Sequence, residues 1–264
     1  MYLTLFFVSI LVSALGTVAG FGGGVFIVPF MVMGFHIPIE IAIGVTALSL
    51  FPASLISTYW NVRKKTVDFK LMWALEIPTM IGAILGAHLT SLFPGRPLEI
   101  IFSLFLVILS YRMINPSLSQ NAWTRMITTL NSKKPLIEKK DYKVSLWASS
   151  LFGGFSGVIA GLFGIGGGIL KTPIMIHIFK VPVRIAVATA LCMIVFTSLV
   201  SGLTHAYLGH VNFHLLLSCG GGFMVGALFG GKISVKMADP SLKKTIAVLI
   251  LMAGIATLIH SIFQ

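Results

Sequence analysis

Apolar stretches recur along the chain near 3–20, 25–35, 38–60, 70–92 and 97–113. A polar stretch follows at 115–143, and five more apolar stretches lie near 144–161, 167–179, 183–206, 213–232 and 242–261. Most reach the roughly 18 residues that a helix needs to cross a bilayer. Five segments, a connector and five segments predict an all-α integral membrane protein. The chain divides into membrane repeat 1 over 1–114, a basic linker over 115–143 and membrane repeat 2 over 144–264.

The residues carry the duplication as well as the pattern. "GTVAGFGGGVFIVPFM" (16–31) aligns with "GVIAGLFGIGGGILKTPIM" (157–175), and "IPIEIA" (37–42) with "VPVRIA" (181–186). "TVDFKLMW" (66–73) aligns with "HVNFHLLL" (210–217), and "IGAILGA" (81–87) with "VGALFGG" (225–231), mostly at a constant offset of 144 residues. Across the third segments, the alignment of "TAL" with "TAL" makes Thr46 and Ser49 the counterparts of Thr189 and Cys192.

Charge sets the expected sidedness. Lys and Arg concentrate in cytoplasmic loops of membrane proteins. With the linker inside, counting crossings places the loops at 61–70, 180–184 and 232–244 inside too. Of the 19 Lys and Arg residues, all but Arg96 and Lys171 then lie at or near the inner face. The loop "NVRKKTVDFK" falls inside, and its counterpart "THAYLGHVNFH", which has no Lys or Arg, falls outside. The repeats are therefore expected to be inverted, with both termini outside, as in many secondary transporters.

Composition narrows the function further. The chain is 56% hydrophobic and 10% charged, with a net charge of +12. That charge is read as topology, not as a nucleic-acid footprint. Cys192 and Cys219 lie within apolar segments and imply no disulfide framework. The first segment lacks the basic start of a signal peptide and is expected to be retained. "GALFGGKI" (226–233) resembles a phosphate-binding loop only loosely, because no strand precedes it and Ile233 stands where Ser or Thr is needed. No enzyme, cofactor or metal site is expected.

The glycine runs carry the candidate chemistry. Segments 25–35 and 167–179 follow Gly22, Gly23, Gly24 and Gly166, Gly167, Gly168, and carry Pro29 and Pro173 in their second turns. At about 1.5 Å per residue they reach roughly 16–20 Å, short of the hydrocarbon thickness. They are read as broken or half-helices with N-termini inside the membrane, although hydropathy alone leaves open whether they span or re-enter. Unpaired N–H groups and the positive dipole end suit a helix N-terminus to an anion. Lys171 adds a formal charge one turn in, where repeat 1 has Ile27. Close helix packing for the glycines and snorkelling for Lys171 are the alternatives.

At these residues the sequence resembles the TauE/SafE permeases. The carriers are the two glycine motifs, "AIGVTALSL" (42–50), "AVATALCMI" (186–194) and the "VDF" and "VNF" loop–helix junctions. The resemblance implies a secondary transporter in the cytoplasmic membrane for a small sulfur-containing anion: sulfite, thiosulfate or an organosulfonate such as sulfoacetate. A membrane-embedded enzyme or sulfur-delivery partner protein and a metal or cation permease are the competing readings.

Hydroxyls of Thr46, Ser49 and Thr189, with Cys192, are candidates to complete an anion's hydrogen bonds, or else to join helices. Glu76 is a candidate for proton coupling, unless its nearness to Lys70 makes it interfacial. His205, grouped with His210 and His214 by an expected outer loop, is a candidate gate, with a surface role as the alternative.

Overall fold

The computed structural model describes residues 1–93, 95–114, 135–138, 142–233 and 240–263. Its first half comprises α1 (Tyr2–Ala19), α2 (Gly24–Phe35), α3 (Ile39–Arg63), α4 (Phe69–Leu92) and α5 (Arg96–Ile114). Two short strands, β1 (Pro135–Glu138) and β2 (Lys143–Ser145), pair antiparallel. The second half comprises α6 (Leu146–Phe163), α7 (Gly168–Pro173) and its π-helical continuation Ile174–Ile178, then α8 (Val183–Tyr207), α9 (Phe213–Ile233) and α10 (Pro240–Phe263).

Each of the ten expected apolar segments is a helix, with ends shifted by a few residues. Seven, namely α1, α3, α4, α5, α6, α8 and α9, are long and apolar enough to cross a membrane, making this a multi-pass membrane protein. The strands at the end of the linker were not anticipated. Most of the basic linker lies outside the described residues, as do residues 234–239.

The two halves match residue by residue. The bounds of α1 and α3, moved by 144, become those of α6 and α8. Left-handed backbone repeats at the same interval: Gly20 with Gly164, Gly22 with Gly166, Gly23 with Gly167, His36 with Lys180, and Lys65 with Gly209. Pro38 and Pro182 occupy the N-caps of α3 and α8 with φ of −50° and −53°.

One pair of equivalent elements differs. Pro29 sits inside a regular α2, whereas the chain beyond Pro173 widens into π-helix, with Phe179 N–H donating to Ile174 C=O.

The principal packing joins one half to the other. Helix α1 packs on α9 and α4 on α6, α3 crosses α8, and α5 lies along α10. Glycines allow the close crossings. A Cβ on Gly157 of α6 would lie 2.1 Å from the Thr79 carbonyl oxygen of α4, and one on Gly226 of α9 would lie 2.3 Å from the Ile10 carbonyl oxygen of α1. Such small-residue seams are how helices associate in lipid, where apolar surface alone gives little preference between neighbours. Hydroxyls reinforce them: Thr79 donates to Gly153 C=O at 3.0 Å and Ser13 to Phe223 C=O at 2.8 Å.

Large apolar side chains cover the outside, among them Leu3, Phe7, Leu11, Ile77, Ile81 and Leu85. Small polar residues lie inside among buried aliphatic and aromatic ones, including Ser9, Ser13, Thr46, Ser49, Thr197 and Ser198. That arrangement is expected where the surrounding solvent is hydrocarbon.

Arg96, one of the two basic residues that the charge pattern left over, caps a helix. Its guanidinium donates from Nε to Ser261 C=O at 2.9 Å and from Nη2 to Ile262 C=O at 3.1 Å, at the C-terminal turn of α10. A cation there completes the orphan carbonyls and matches the helix dipole.

Candidate functional site

The glycine runs form matching reversals of the chain. After α1, Phe21 and Gly22 both donate to Gly16 C=O, and the backbone turns back alongside the helix it has just left. A Cβ on Gly16 would sit 2.1 Å from Gly23 N, so α2 begins beside the body of α1. Gly23 (φ 95°) and Gly167 (φ 71°) are the N-caps of α2 and α7, and neither helix start has a side-chain cap. Positive φ at these caps favours glycine.

The two reversals meet in the buried centre. A Cβ on Gly168 would lie 2.9 Å from both Gly20 O and Phe21 Cα, and one on Gly24 would lie 3.2 Å from Ile165 Cα. Leu50 of α3 and Ile194 of α8, also 144 positions apart, fit against both turns. Each borders the space where a Cβ would stand on Gly22 and on Gly166. The glycine-capped N-termini of the two halves are thus brought together, with an aliphatic pair between them.

The small polar candidates separate. Thr46 lies at the glycine centre, where its methyl would be 3.1 Å from a Cβ on Gly24, but its hydroxyl donates to Ala42 C=O at 2.6 Å. Ser49 donates to Val45 C=O at 2.7 Å within the same helix. Thr189 instead accepts the Asp68 N–H at 3.1 Å, at the start of α4. The Cys192 thiol contacts Met72 Sδ at 3.2 Å.

The expected equivalence of Thr46 with Thr189 and of Ser49 with Cys192 is corrected here. The helix bounds of α3 and α8 differ by 144, which pairs Thr46 with Ala190, Ser49 with Met193 and Thr189 with Val45. Contacts agree: Gly20 abuts the Val187 side chain and Gly164 the Ile43 backbone, also 144 apart. The matching "TAL" strings are one residue out of register, which on a helix is a rotation of about 100°.

Lys171 and Glu76 form a salt bridge. Lys171 Nζ donates to Glu76 Oε2 at 2.7 Å and to Thr197 Oγ1 at 2.7 Å. The Thr197 hydroxyl in turn bonds Glu76 Oε1. Lys171 is 1% exposed and Glu76 0%, so both side chains end inside the protein and neither reaches its surface. The Lys171 stem folds back over its own helix start, its Cε 3.2 Å from where a Cβ on Gly167 would be.

Thr197 was not among the expected site residues. The clue available was asymmetry between the repeats: Lys171, Glu76 and Thr197 stand where the first or second half has Ile27, Gly220 and Ala53.

His205 is buried rather than on the surface. Its Nε2 lies 2.8 Å from Gly161 C=O, and its Nδ1 lies 3.2 Å from His210 Nδ1. A carbonyl only accepts, so in the neutral pair Nε2 of His205 carries the proton and His210 Nδ1–H donates to His205. Burial lowers the His210 pKa, and the Glu40 carboxylate acts against that shift. Glu40 itself accepts from Gly95 N–H at the start of α5. His214, by contrast, stands on the exposed side of α9.

At the other end of α8, Asp68 caps α4 through Lys70 N–H and Leu71 N–H and accepts the Tyr142 hydroxyl. The last residue before β2 is thereby tied to the α4–α8 junction.

Paired broken helices and a buried ion pair, held in a bundle of membrane-crossing helices, are the construction of a membrane transporter. The chain belongs to the sulfite exporter TauE/SafE family, whose profile matches residues 5–257. It is 26% identical over 273 residues to "Probable membrane transporter protein YunE" of Bacillus subtilis, covering 100% of this chain and 99% of that protein. "Probable membrane transporter protein YdhB" of the same organism is 27% identical over 92% of this chain and 96% of its own. "Probable membrane transporter protein MJ0441" of Methanocaldococcus jannaschii is 28% identical, over 90% and 88%. No solved structure matches the chain.

Proposed function

We propose that this protein moves a small sulfur-containing anion (sulfite, thiosulfate or an organosulfonate such as sulfoacetate) across the cytoplasmic membrane by alternating access. The observation that carries the reading is the meeting of two glycine-capped helix starts, one from each half, at the buried centre. Each presents backbone donors and the positive end of a helix dipole, so the pair favours negative charge without a dedicated side chain. Gly22, Gly23, Gly24, Gly166, Gly167 and Gly168 are the proposed cradle, with Thr46 beside it. The family's sulfite-exporter description supports the choice of a sulfur oxyanion.

Alternating access follows from two halves of opposite orientation, each able to hold the site closed from its own side. The charge distribution supports that orientation, with the basic linker cytoplasmic and the termini outside. Leu50 and Ile194 must part for an anion to reach the glycine N–H groups, so the geometry is that of a closed centre. Ser49, Thr189 and Cys192, which bond locally or at the α4 start, are second-rank candidates for substrate contact. His205 is a candidate outer gate.

The test is uptake of radiolabelled sulfite, thiosulfate and sulfoacetate into proteoliposomes, with thermal stability of the purified chain measured against the same anions. A ligand that binds only the folded state raises apparent stability by mass action. Uptake of one of them, reduced by Gly24→Ala and retained in Lys133→Gln/Lys134→Gln, is the expected result. Absence of both uptake and stabilisation for sulfite, thiosulfate and sulfoacetate would sink it.

A further inference from the structure

Lys171 has a counter-ion that the other half of the protein does without. The equivalent of Lys171 is Ile27, that of Glu76 is Gly220, and that of Thr197 is Ala53. Three charged or polar groups therefore stand on α7, α4 and α8, and none stands at the corresponding positions of α2, α9 and α3. The first half reaches the same order of helices without such a triad. The triad is also costly, because taking two charges out of water carries a desolvation penalty that their attraction often fails to recover. A group of this kind, set against the glycine start of α7, calls for a functional account.

We propose that Glu76 is the proton carrier of this transporter and an internal stand-in for its cargo. Between transport events its carboxylate neutralises Lys171; when it takes a proton it releases Lys171 to the incoming anion. The proposal rests on the anion reading above and adds to it the coupling ion and the group that carries it.

The geometry supplies each requirement. An ammonium group inside a membrane needs a negative partner at all times, and Lys171 Nζ has Glu76 Oε2 at 2.7 Å. The lysine stem already runs beside Gly167, so an anion on the glycine-capped helix start would lie next to the same ammonium group.

A carboxylate deprived of its counter-cation in such surroundings does not remain ionised. Anion binding and protonation of Glu76 are then one exchange. The anion gains Lys171, a proton from the open side forms the O–H bond on Glu76, and Lys171 keeps its charge throughout.

Thr197 can follow the change. Its hydroxyl bonds Glu76 now and has a second acceptor, Met193 C=O, at 3.2 Å. The groups facing Glu76 are Lys171 from α7 and Thr197 from α8, with the Cys192 thiol of α8 the further titratable neighbour.

The experiment counts protons. Thiosulfate and sulfoacetate, both fully ionised around neutrality, are titrated calorimetrically into the purified full-length protein, in buffers of different ionisation heat. Wild type is expected to take up about one proton per anion bound, with affinity rising about tenfold per pH unit of acidification. Glu76→Gln is expected to bind without proton uptake and without that pH dependence. Because this variant leaves Lys171 without its partner, Glu76→Gln/Lys171→Gln is tested alongside it. The double variant keeps neutral hydrogen-bonding groups and is expected to bind more weakly, again without proton uptake.

Anion binding by wild type with no proton uptake overturns the exchange and leaves the anion transporter standing. Proton uptake that persists in the double variant also overturns it. Failure of both anions and of sulfite to bind at all overturns the transport reading, and the exchange falls with it.

Discussion

Lys171 and Glu76 stand 95 positions apart in sequence, and their charged ends meet at 2.7 Å, both fully buried. They bring together the broken helix of one half and the fourth helix of the other. Removing either partner alone should be far worse than removing both, because a single removal leaves the other group buried without its partner, either charged or forced neutral. Lys171→Met and Glu76→Leu are each expected to cost about 3–5 kcal/mol, and the double variant clearly less. Thermal unfolding of the three variants in one detergent checks the order.

Gly22 and Gly166 hold φ of 83° and 70° beside Leu50 and Ile194. Alanine at either is expected to destabilise by at least the roughly 1–2 kcal/mol of the left-handed conformation. Gly34 offers the contrast: it lies inside α2, and a Cβ there would meet only the Phe30 ring, at 3.8 Å. Gly34→Ala should be neutral, or stabilising by about 0.5–1 kcal/mol. Equal losses at Gly22 and Gly34 would contradict the assigned backbone.

Gly157 and Gly226 have no room for any side chain, with partner carbonyls at 2.1 and 2.3 Å from a Cβ. Alanine at either forces α4 from α6, or α1 from α9. Gly157→Ala and Gly226→Ala are expected to lower the yield of monodisperse protein in size-exclusion chromatography. Gly154→Ala should not, since its nearest neighbour would be Pro78 O at 3.9 Å.

His210 is easier to protonate in the unfolded chain than in the folded protein, since burial lowers its folded pKa. The unfolded state therefore binds more protons below the ordinary histidine value of about 6.5, and stability falls as pH drops through that range. Glu40 and His205 are the titratable groups nearby, and the Glu40 carboxylate limits the size of the effect. Wild type should lose more thermal stability than His210→Asn between pH 7.5 and 5.5. An identical loss in both would place the acid sensitivity elsewhere.

Much of the fold was legible because hydrocarbon imposes a coarse rule: helices must be long and apolar, and their breaks must be marked. The glycine runs marked the breaks, and the 144-residue offset located the second set from the first. The register across α3 and α8 was misread because "TAL" recurs one residue off the structural equivalence. Identity of short strings outweighed continuity of the offset.

The ion pair was legible only in parts. Lys171 and Glu76 were each noticed as charges in an apolar setting, yet no local pattern says that α4 of one half lies against α7 and α8 of the other. Partner choice between distant helices is a matter of tertiary packing. The strands at 135–138 and 143–145 were missed because a basic connector offered no alternation of apolar and polar residues to read.

The crossing of halves has a consequence for how the protein is made. Translation delivers α1, α3, α4 and α5 to the bilayer before α9, α8, α6 and α10, their principal partners, exist. Each early helix can wait in lipid, since its backbone bonds are satisfied within itself. Its glycine seam cannot close until the partner arrives, and Glu76 waits the full 95 residues for Lys171. Insertion and assembly are thus separate events in the life of this chain, and a chain halted after α5 would be a set of membrane helices with their closest-fitting surfaces still turned toward lipid.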